Sequence, residues 1–170
     1  MILSHAVSFD FELGLPPGVA VAFVRDVEIS LSEAAFLQDL SVTTRPPTLV
    51  KAHLPVNAAL FGQQLLEFQS RLIPTVQGAR LEAVALETSE PGWAEVAGEA
   101  TVQPAPGGSQ VTYHFDIAIH LRLPTPERWG GKALTKMIEF TAQRVLENIT
   151  QSFPSAVQAA AYKLEAAHAA

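Results

Sequence analysis

The sequence predicts an α+β fold, in which a curved antiparallel sheet of about six to seven strands wraps around one long C-terminal helix. Two patterns predict it. Apolar and polar residues alternate in several stretches between residues 5 and 123, as they do in strands with one buried face. Residues 131–153 instead repeat apolar side chains every three or four positions, which is typical of one face of a helix.

The strands are predicted where alternating stretches lie between clusters of proline and glycine, which favour turns. Residues 110–123 carry the strongest signal, because their alternation continues without a break. Pro104-Ala105-Pro106-Gly107-Gly108 is the predicted hairpin before that strand. The predicted strands are 5–13, 40–44, 48–56, 61–73, 79–87, 93–103 and 110–123.

Two short helices are predicted after the first strand. Pro16-Pro17-Gly18 suits the first helical turn, because the missing N–H of proline costs little there. Residues 18–26 are expected to form the first helix, although their valines also permit a strand. Ser30 or Ser32 can cap the second helix, which is expected to end near Asp39.

The long C-terminal helix is predicted over residues 131–153, a length of about 35 Å. Pro154 is expected to stop or kink it, because proline interrupts the hydrogen-bond ladder. We therefore predict a single domain over residues 1–153 and an Ala-rich helical extension over 154–170, either docked or frayed. The predicted apolar stripe comprises Leu134, Ile138, Thr141, Val145, Ile149 and Phe153.

Composition limits the function classes. The chain has 170 residues, 48% of them hydrophobic, which favours one folded domain with a substantial core. Its 17 acidic and 11 basic residues give a net charge of -6, which disfavours nonspecific binding of nucleic acid and docking on anionic lipid. The absence of cysteine excludes disulfides, thiolate metal sites and a cysteine nucleophile.

Targeting signals are not evident in the sequence. The first residues lack the basic and apolar regions of a secretory signal. No apolar run approaches the roughly 20 residues of a spanning helix. We therefore expect a cytoplasmic protein without an integral membrane segment.

The order of these elements resembles the helix-grip fold of the START/SRPBCC superfamily. Pro16-Pro17-Gly18 leads directly from a strand into an apolar helix, and residues 106–113 (PGGSQVTY) resemble a Gly-rich hairpin common before the last helix. Residues 144–149 (RVLENI) resemble the end of the helix in carbon monoxide dehydrogenase G-like proteins, the closest group in pattern. Pro154 and the Ala-rich extension depart from the usual single helix.

This resemblance implies a cavity between the sheet and the C-terminal helix that often holds an apolar ligand. It implies no universal catalytic residue, so none is transferred to this chain. The sequence also lacks the Gly-x-Ser-x-Gly, phosphate-loop, dinucleotide, His-Glu-x-x-His and calcium-loop motifs. We therefore predict no catalytic residue, no metal and no cofactor.

A metal site could be drawn from His114, Asp116 and His120, which share one face of a predicted strand. That face lies opposite Phe115 and Ile117. Same-face positions are about 7 Å apart, so the two histidines, three steps apart, are too distant to share one ion unaided. A solvated strand face is the preferred interpretation.

An apolar pocket has candidate residues on the inward faces, although the same side chains could simply fill the core. The small residues Ala94, Gly98 and Ala100 favour a cavity, because they leave volume unoccupied. Tyr113 is the best candidate for orienting a ligand. The candidate pocket residues are Phe9, Phe11, Leu66, Phe68, Trp93, Tyr113, Phe115, Ile117, Ile138, Thr141 and Val145.

Noncatalytic binding or carriage of a small apolar, lipid-like ligand is the first hypothesis for function. It predicts that Phe68→Asp abolishes ligand uptake or folding, whereas His114→Ala changes neither. A cyclase-like or hydratase-like enzyme with Tyr113 as the orienting group stays open. So does an assembly role, in which the segment after Pro154 meets a protein partner, another copy of the chain or a membrane surface, although its few basic residues disfavour anionic lipid.

Overall fold

A computed structural model describes residues 1–58, 62–122 and 131–169, and within them it shows the predicted α+β helix-grip fold. A seven-stranded antiparallel sheet and a long C-terminal helix form its two layers, and two short helices follow the first strand. The elements are β1 (Ile2–Leu13), α1 (Pro17–Arg25), α2 (Val27–Ser30), β2 (Gln38–Val42), β3 (Leu49–Ala58), β4 (Gly62–Thr75), β5 (Gly78–Val84), β6 (Gly92–Ala105), β7 (Gly108–Leu121) and α3 (Lys132–Ala169).

The sheet has the order β1-β7-β6-β5-β4-β3-β2, so β2 to β7 form a meander and β1 joins it beside β7. β1 and β7 pair without a register shift, from Ile2 opposite His120 to Leu13 opposite Ser109. Both strands have the alternation that predicts them, and their apolar faces point to the same side. The apolar faces of β1 and β7 therefore form one continuous wall of the core.

The sheet curves strongly where β5 separates from β6. These two strands pair only from Gly78 to Leu81. Beyond that point β4 comes close to β6, and the buried Ser70 hydroxyl of β4 donates to the Val96 carbonyl of β6 at 2.6 Å. A Cβ atom on Gly92 would lie 2.8 Å from Cδ2 of Leu66, so the concave face nearly closes on itself here. Side chains from β4 and β6 therefore fill the concave face of the sheet near Gly92.

The second short helix begins earlier than the sequence suggests, so the predicted helix from Ser30 or Ser32 to Asp39 is wrong in position. The Asp26 side chain accepts a hydrogen bond from Ile29 N at 3.2 Å and caps α2. The Ser32 hydroxyl instead donates to the Ile29 carbonyl at the end of this helix. Asp39 belongs to β2. Aspartate and serine are both favoured at the N-cap of a helix, and in this chain Asp26 occupies that position.

Helix α3 continues through Pro154, so of the two expected effects of this proline, a stop or a kink, the stop is wrong. A proline inside a helix costs roughly 3 kcal/mol. Buried side chains on both sides of Pro154 offset that cost: Phe153 is 1% exposed and Val157 is 0% exposed. Ala160 and Ala161 are buried as well. The segment after Pro154 is therefore packed against the core and is not frayed.

Candidate functional site

A cavity of about 30 Å³ lies between the α1–α2 segment and the concave face of the sheet. Such a volume holds only one or two water molecules. It is far below the roughly 300–1,000 Å³ of typical ligand pockets. The cavity is lined by Val24, Val27, Ser30, Leu31, Leu72, Ala79, Arg80, Leu81, Gly98, Glu99, Ala100, Tyr113 and Phe115.

The helical wall of this cavity comes from the apolar side of α1 and α2. Ala20, Phe23, Val24 and Val27 are buried and follow the spacing of one helical face. Arg25 ties this wall to the sheet, because its Nε donates to the Gly78 carbonyl at 2.9 Å and its Nη2 to the Thr75 carbonyl at 2.5 Å. The α1–α2 segment is thus held down over the cavity.

The small residues of β6 have different effects on packing. Gly98 and Ala100 border the cavity, as their size predicts, whereas Ala94 is 0% exposed in the filled core. A Cβ atom on Gly98 would lie 2.6 Å from the His114 carbonyl oxygen and 2.9 Å from Cδ1 of Phe115. The position of a side chain at Gly98 is therefore already occupied by the His114 carbonyl and the Phe115 ring.

Tyr113 is the most unusual polar residue of the site. Its side chain is buried, and among the described residues its Oη lies near the Ser30 side chain but makes no well-formed hydrogen bond. Its ring stacks on Phe9 at 5.2 Å and on Phe115 at 5.6 Å between centroids. Burial raises the pKa of the Tyr113 hydroxyl far above its usual range, and the Ser30 side chain offsets this only in part. The phenol is therefore a neutral donor at ordinary pH.

The eleven residues predicted to line a pocket do not all lie near this cavity. Tyr113 and Phe115 border the cavity, and Phe9 and Phe11 extend the row of stacked rings along the same face. The remaining members lie elsewhere. Leu66, Phe68 and Ile117 are at most 2% exposed within the core, and Ile138, Thr141 and Val145 are half-buried on α3.

Trp93 lies on the opposite, convex face of the sheet, away from this cavity. Its ring stacks on His120 with centroids 4.9 Å apart, and the Arg122 guanidinium lies 4.8 Å from its ring centroid. Along β6 the buried side chains, such as Ala94 and Val96, stand at even-numbered positions. Trp93 stands at an odd-numbered position, so its side chain points to the other face. Strand alternation in the sequence already contains this signal.

The convex face also carries the histidines that were considered for a metal. His114 Nε2 lies 2.9 Å from Asp116 Oδ2, and the Ser8 hydroxyl lies 2.7 Å from His114 Nδ1. His120 instead lies 3.5 Å from Glu95 Oε1. Within residues 1–58, 62–122 and 131–169, no three His, Cys, Asp or Glu side chains are grouped so that they could hold a metal.

Some residues of the site are missed by the sequence patterns. Val24, Val27 and Leu31 lie in or beside short helices, where a pocket between sheet and C-terminal helix is not expected to reach. Phe153 of α3 meets the site from the other side, stacking on Phe115 with centroids 4.7 Å apart. The apolar spacing of residues 20–27 is the signal that could have identified the first group.

The geometry and its comparison with solved structures define this protein as a helix-grip protein. The aromatase/cyclase Zhui from Streptomyces sp. R1128 matches with a TM-score of 0.59 and 12% identity, over 99% of this chain and 97% of that one. The di-domain ARO/CYC BexL from the BE-7585A biosynthetic pathway matches with a TM-score of 0.51 and 11% identity, over 94% of this chain. This chain spans about half of BexL, 50% of its length. At such identities the likeness concerns the fold alone.

Residues 8–151 match the family described as "Protein of unknown function (DUF3809)", and the chain belongs to that family. No curated protein matches the sequence. Among the helices in the described part of the chain, none has the length and apolar character needed to cross a membrane.

Proposed function

We propose that this protein binds a small, mainly apolar ligand in the cavity beneath α1 and α2. The observation that carries the proposal is Tyr113: a buried hydroxyl without a well-formed hydrogen bond borders a cavity whose other walls are mostly apolar. A few polar groups within an apolar lining are typical of ligand sites. Because Phe115 contacts both the cavity and Phe153, the ligand would also lie close to α3.

Binding requires the cavity to widen, since about 30 Å³ admits only water. Of the cavity walls, α2 is the best suited to move, because α1 is anchored by the buried Ala20, Phe23 and Val24. α2 has only four residues, and the hydrogen bonds of Arg25 and the cap from Asp26 are partly exposed to solvent. Short elements held by exposed hydrogen bonds belong to the least stable parts of a protein. A ligand would therefore select a state in which α2 is displaced from the sheet.

The proposal is tested by native mass spectrometry of gently purified protein, followed by solvent extraction of any bound molecule. The matched variants are Ala100→Leu, which fills the cavity, and Ala97→Leu, on the opposite face of the same strand. We expect an apolar molecule on the wild type and on Ala97→Leu, and none on Ala100→Leu. Equal occupancy of the two variants would place the ligand elsewhere.

The variant Phe68→Asp is a poor test of ligand uptake, because Phe68 is 2% exposed. Its replacement would bury a carboxylate without a partner and unfold the chain. His114→Ala remains a suitable control that should change neither ligand uptake nor folding, because that side chain lies on the convex face.

A cyclase-like enzyme is the second candidate, since Zhui and BexL are described as an aromatase/cyclase and an ARO/CYC. Burial of Tyr113 raises its pKa, so this residue could orient or polarise a carbonyl but could not act as a base at neutral pH. The other polar groups lining the cavity are Ser30, Arg80 and Glu99, and Glu99 is exposed. Binding without catalysis therefore has the stronger support.

An assembly role, which the likeness of residues 144–149 to carbon monoxide dehydrogenase G-like proteins suggested, has weaker support. The surface that the segment after Pro154 offers to a partner is its outer face, where Tyr162 is 47% exposed. Ala156, Val157, Ala160 and Ala161 of that segment are buried against the chain's own core.

A further inference from the structure

We propose that the ligand is uncharged and carries a hydrogen-bond acceptor, such as a ketone or ester carbonyl, that accepts a hydrogen bond from the Tyr113 hydroxyl. This inference rests on the proposed function and adds the chemical class of the ligand. It follows from three features of the cavity: the held position of the phenol, the hydroxyl of Ser30, and the distribution of charge around the rim.

Neighbouring rings hold the phenol in place. Phe9, Phe11 and Phe115 stack on the Tyr113 ring with centroids 5.2, 6.4 and 5.6 Å away. The side chain is 5% exposed, so its hydroxyl cannot reach bulk water without breaking this stack. A ligand that displaces water from the cavity must supply an acceptor for this hydroxyl, because a buried donor left without one is unfavourable.

Ser30 adds a second hydroxyl to the same cavity and is 4% exposed. A serine hydroxyl can donate or accept, and the neutral phenol can donate to a carbonyl oxygen. A carbonyl oxygen has two lone pairs, so it can accept from both residues at once. Tyr113 and Ser30 therefore fit a carbonyl better than a hydrocarbon of the same shape.

The charges around the cavity disfavour an anionic ligand. Arg80 is the cation among the described lining residues, and its Nη2 already lies 2.9 Å from Glu82 Oε1. Glu99 is its register partner across β5 and β6 and places a carboxylate at the same rim. Arg25 lies beside the cavity, but its guanidinium already donates to the Gly78 and Thr75 carbonyls. A bound carboxylate would therefore be buried without a cation free to pair with it, which is costly.

Three probes of nearly equal shape separate these properties: 4-fluoroacetophenone, 1-ethyl-4-fluorobenzene and 4-fluorobenzoate. Each is titrated at pH 7 and followed by fluorine NMR, with wild-type protein, Tyr113→Phe, and Tyr162→Phe as the exposed-tyrosine control. We expect Tyr113→Phe to weaken the ketone about fivefold, the value of one ordinary hydrogen bond, and to leave the ethyl compound unchanged. Tyr162→Phe should change neither, and the benzoate should bind at least about tenfold more weakly than the ketone.

The outcomes distinguish this inference from the proposed function. If ketone and ethyl compound both bind and respond equally to Tyr113→Phe, the hydrogen bond is refuted while apolar binding stands. Benzoate binding as tight as that of the ketone refutes the uncharged class. If no probe binds the wild type, both proposals fail.

A second measurement keeps the test independent of how well Tyr113→Phe folds. The carbonyl carbon of 13C-labelled 4-fluoroacetophenone moves downfield when its oxygen accepts a hydrogen bond. Bound to wild-type protein, its resonance should lie downfield of its position in cyclohexane. An unshifted resonance would refute the hydrogen bond without any variant.

Discussion

Phe153 offers the most direct test of how the sheet grips the C-terminal helix. Its side chain is 1% exposed, and its ring stacks on Phe115 of β7 with centroids 4.7 Å apart. A second ring, Phe36, meets it edge-on at 4.7 Å. Phe153 thus joins α3, the sheet and the segment after α2, and Phe153→Ala removes all of these contacts together.

The expected cost of Phe153→Ala is about 3–5 kcal/mol, the usual range for a fully buried phenylalanine. The lost ring geometry contributes roughly 0.5–1.5 kcal/mol for each aromatic pair within that range. At roughly 2–4 °C per kcal/mol for a chain of this size, the Tm should fall by about 6–20 °C. This cost is a large share of the roughly 5–15 kcal/mol that stabilises a typical domain.

Urea denaturation followed by far-ultraviolet circular dichroism measures this loss as a change in the free energy of unfolding. Phe140→Ala is the matched control, because Phe140 lies on the same helix and is 63% exposed. It should change the free energy of unfolding by no more than about 0.5 kcal/mol. A loss below about 1 kcal/mol for Phe153→Ala at unchanged m, or equal losses in the two variants, would refute the packing described here.

Two further predictions concern the cavity walls. Because burial raises the pKa of Tyr113, the unfolded chain loses this proton first, so wild-type stability should fall as the pH rises above about 10. Urea titrations at pH 8 and 11 measure this loss as a fall in the free energy of unfolding. The fall should be smaller in Tyr113→Phe and unchanged in Tyr162→Phe, and an equal fall in both variants and the wild type would contradict the prediction. Gly98→Ala should cost about 1–3 kcal/mol, because its Cβ would clash with the His114 carbonyl and the Phe115 ring. Gly18→Ala, with no atom within 4 Å of the new Cβ, should be neutral or stabilise by up to about 1 kcal/mol, and equal thermal stability of the two variants would argue against the close approach of β6 to β7.

The strands can be predicted from this sequence because the sheet has one buried and one exposed face. Apolar residues at every second position then identify the buried face directly. The predicted strand 110–123 accordingly corresponds to β7, Gly108–Leu121. The same alternation separates Tyr113 and Phe115 from His114 and Asp116 on opposite faces. Trp93 shows that neglecting this parity leads to an error that the sequence itself could have corrected.

The sequence by itself determines the order of the elements and which side of each strand is buried. Tertiary structure decides the rest. Pro154 is tolerated because Phe153 and Val157 are both buried, a compensation that helix propensity does not include. The cavity under α1 and α2 is lined by Ser30 and Tyr113, which come from distant parts of the chain, and the Phe115 ring lies close to Gly98 at its edge. Whether residues this far apart in sequence come close in space depends on the curvature of the sheet. That curvature accumulates from the twist between many strand pairs, so no local sequence pattern predicts it.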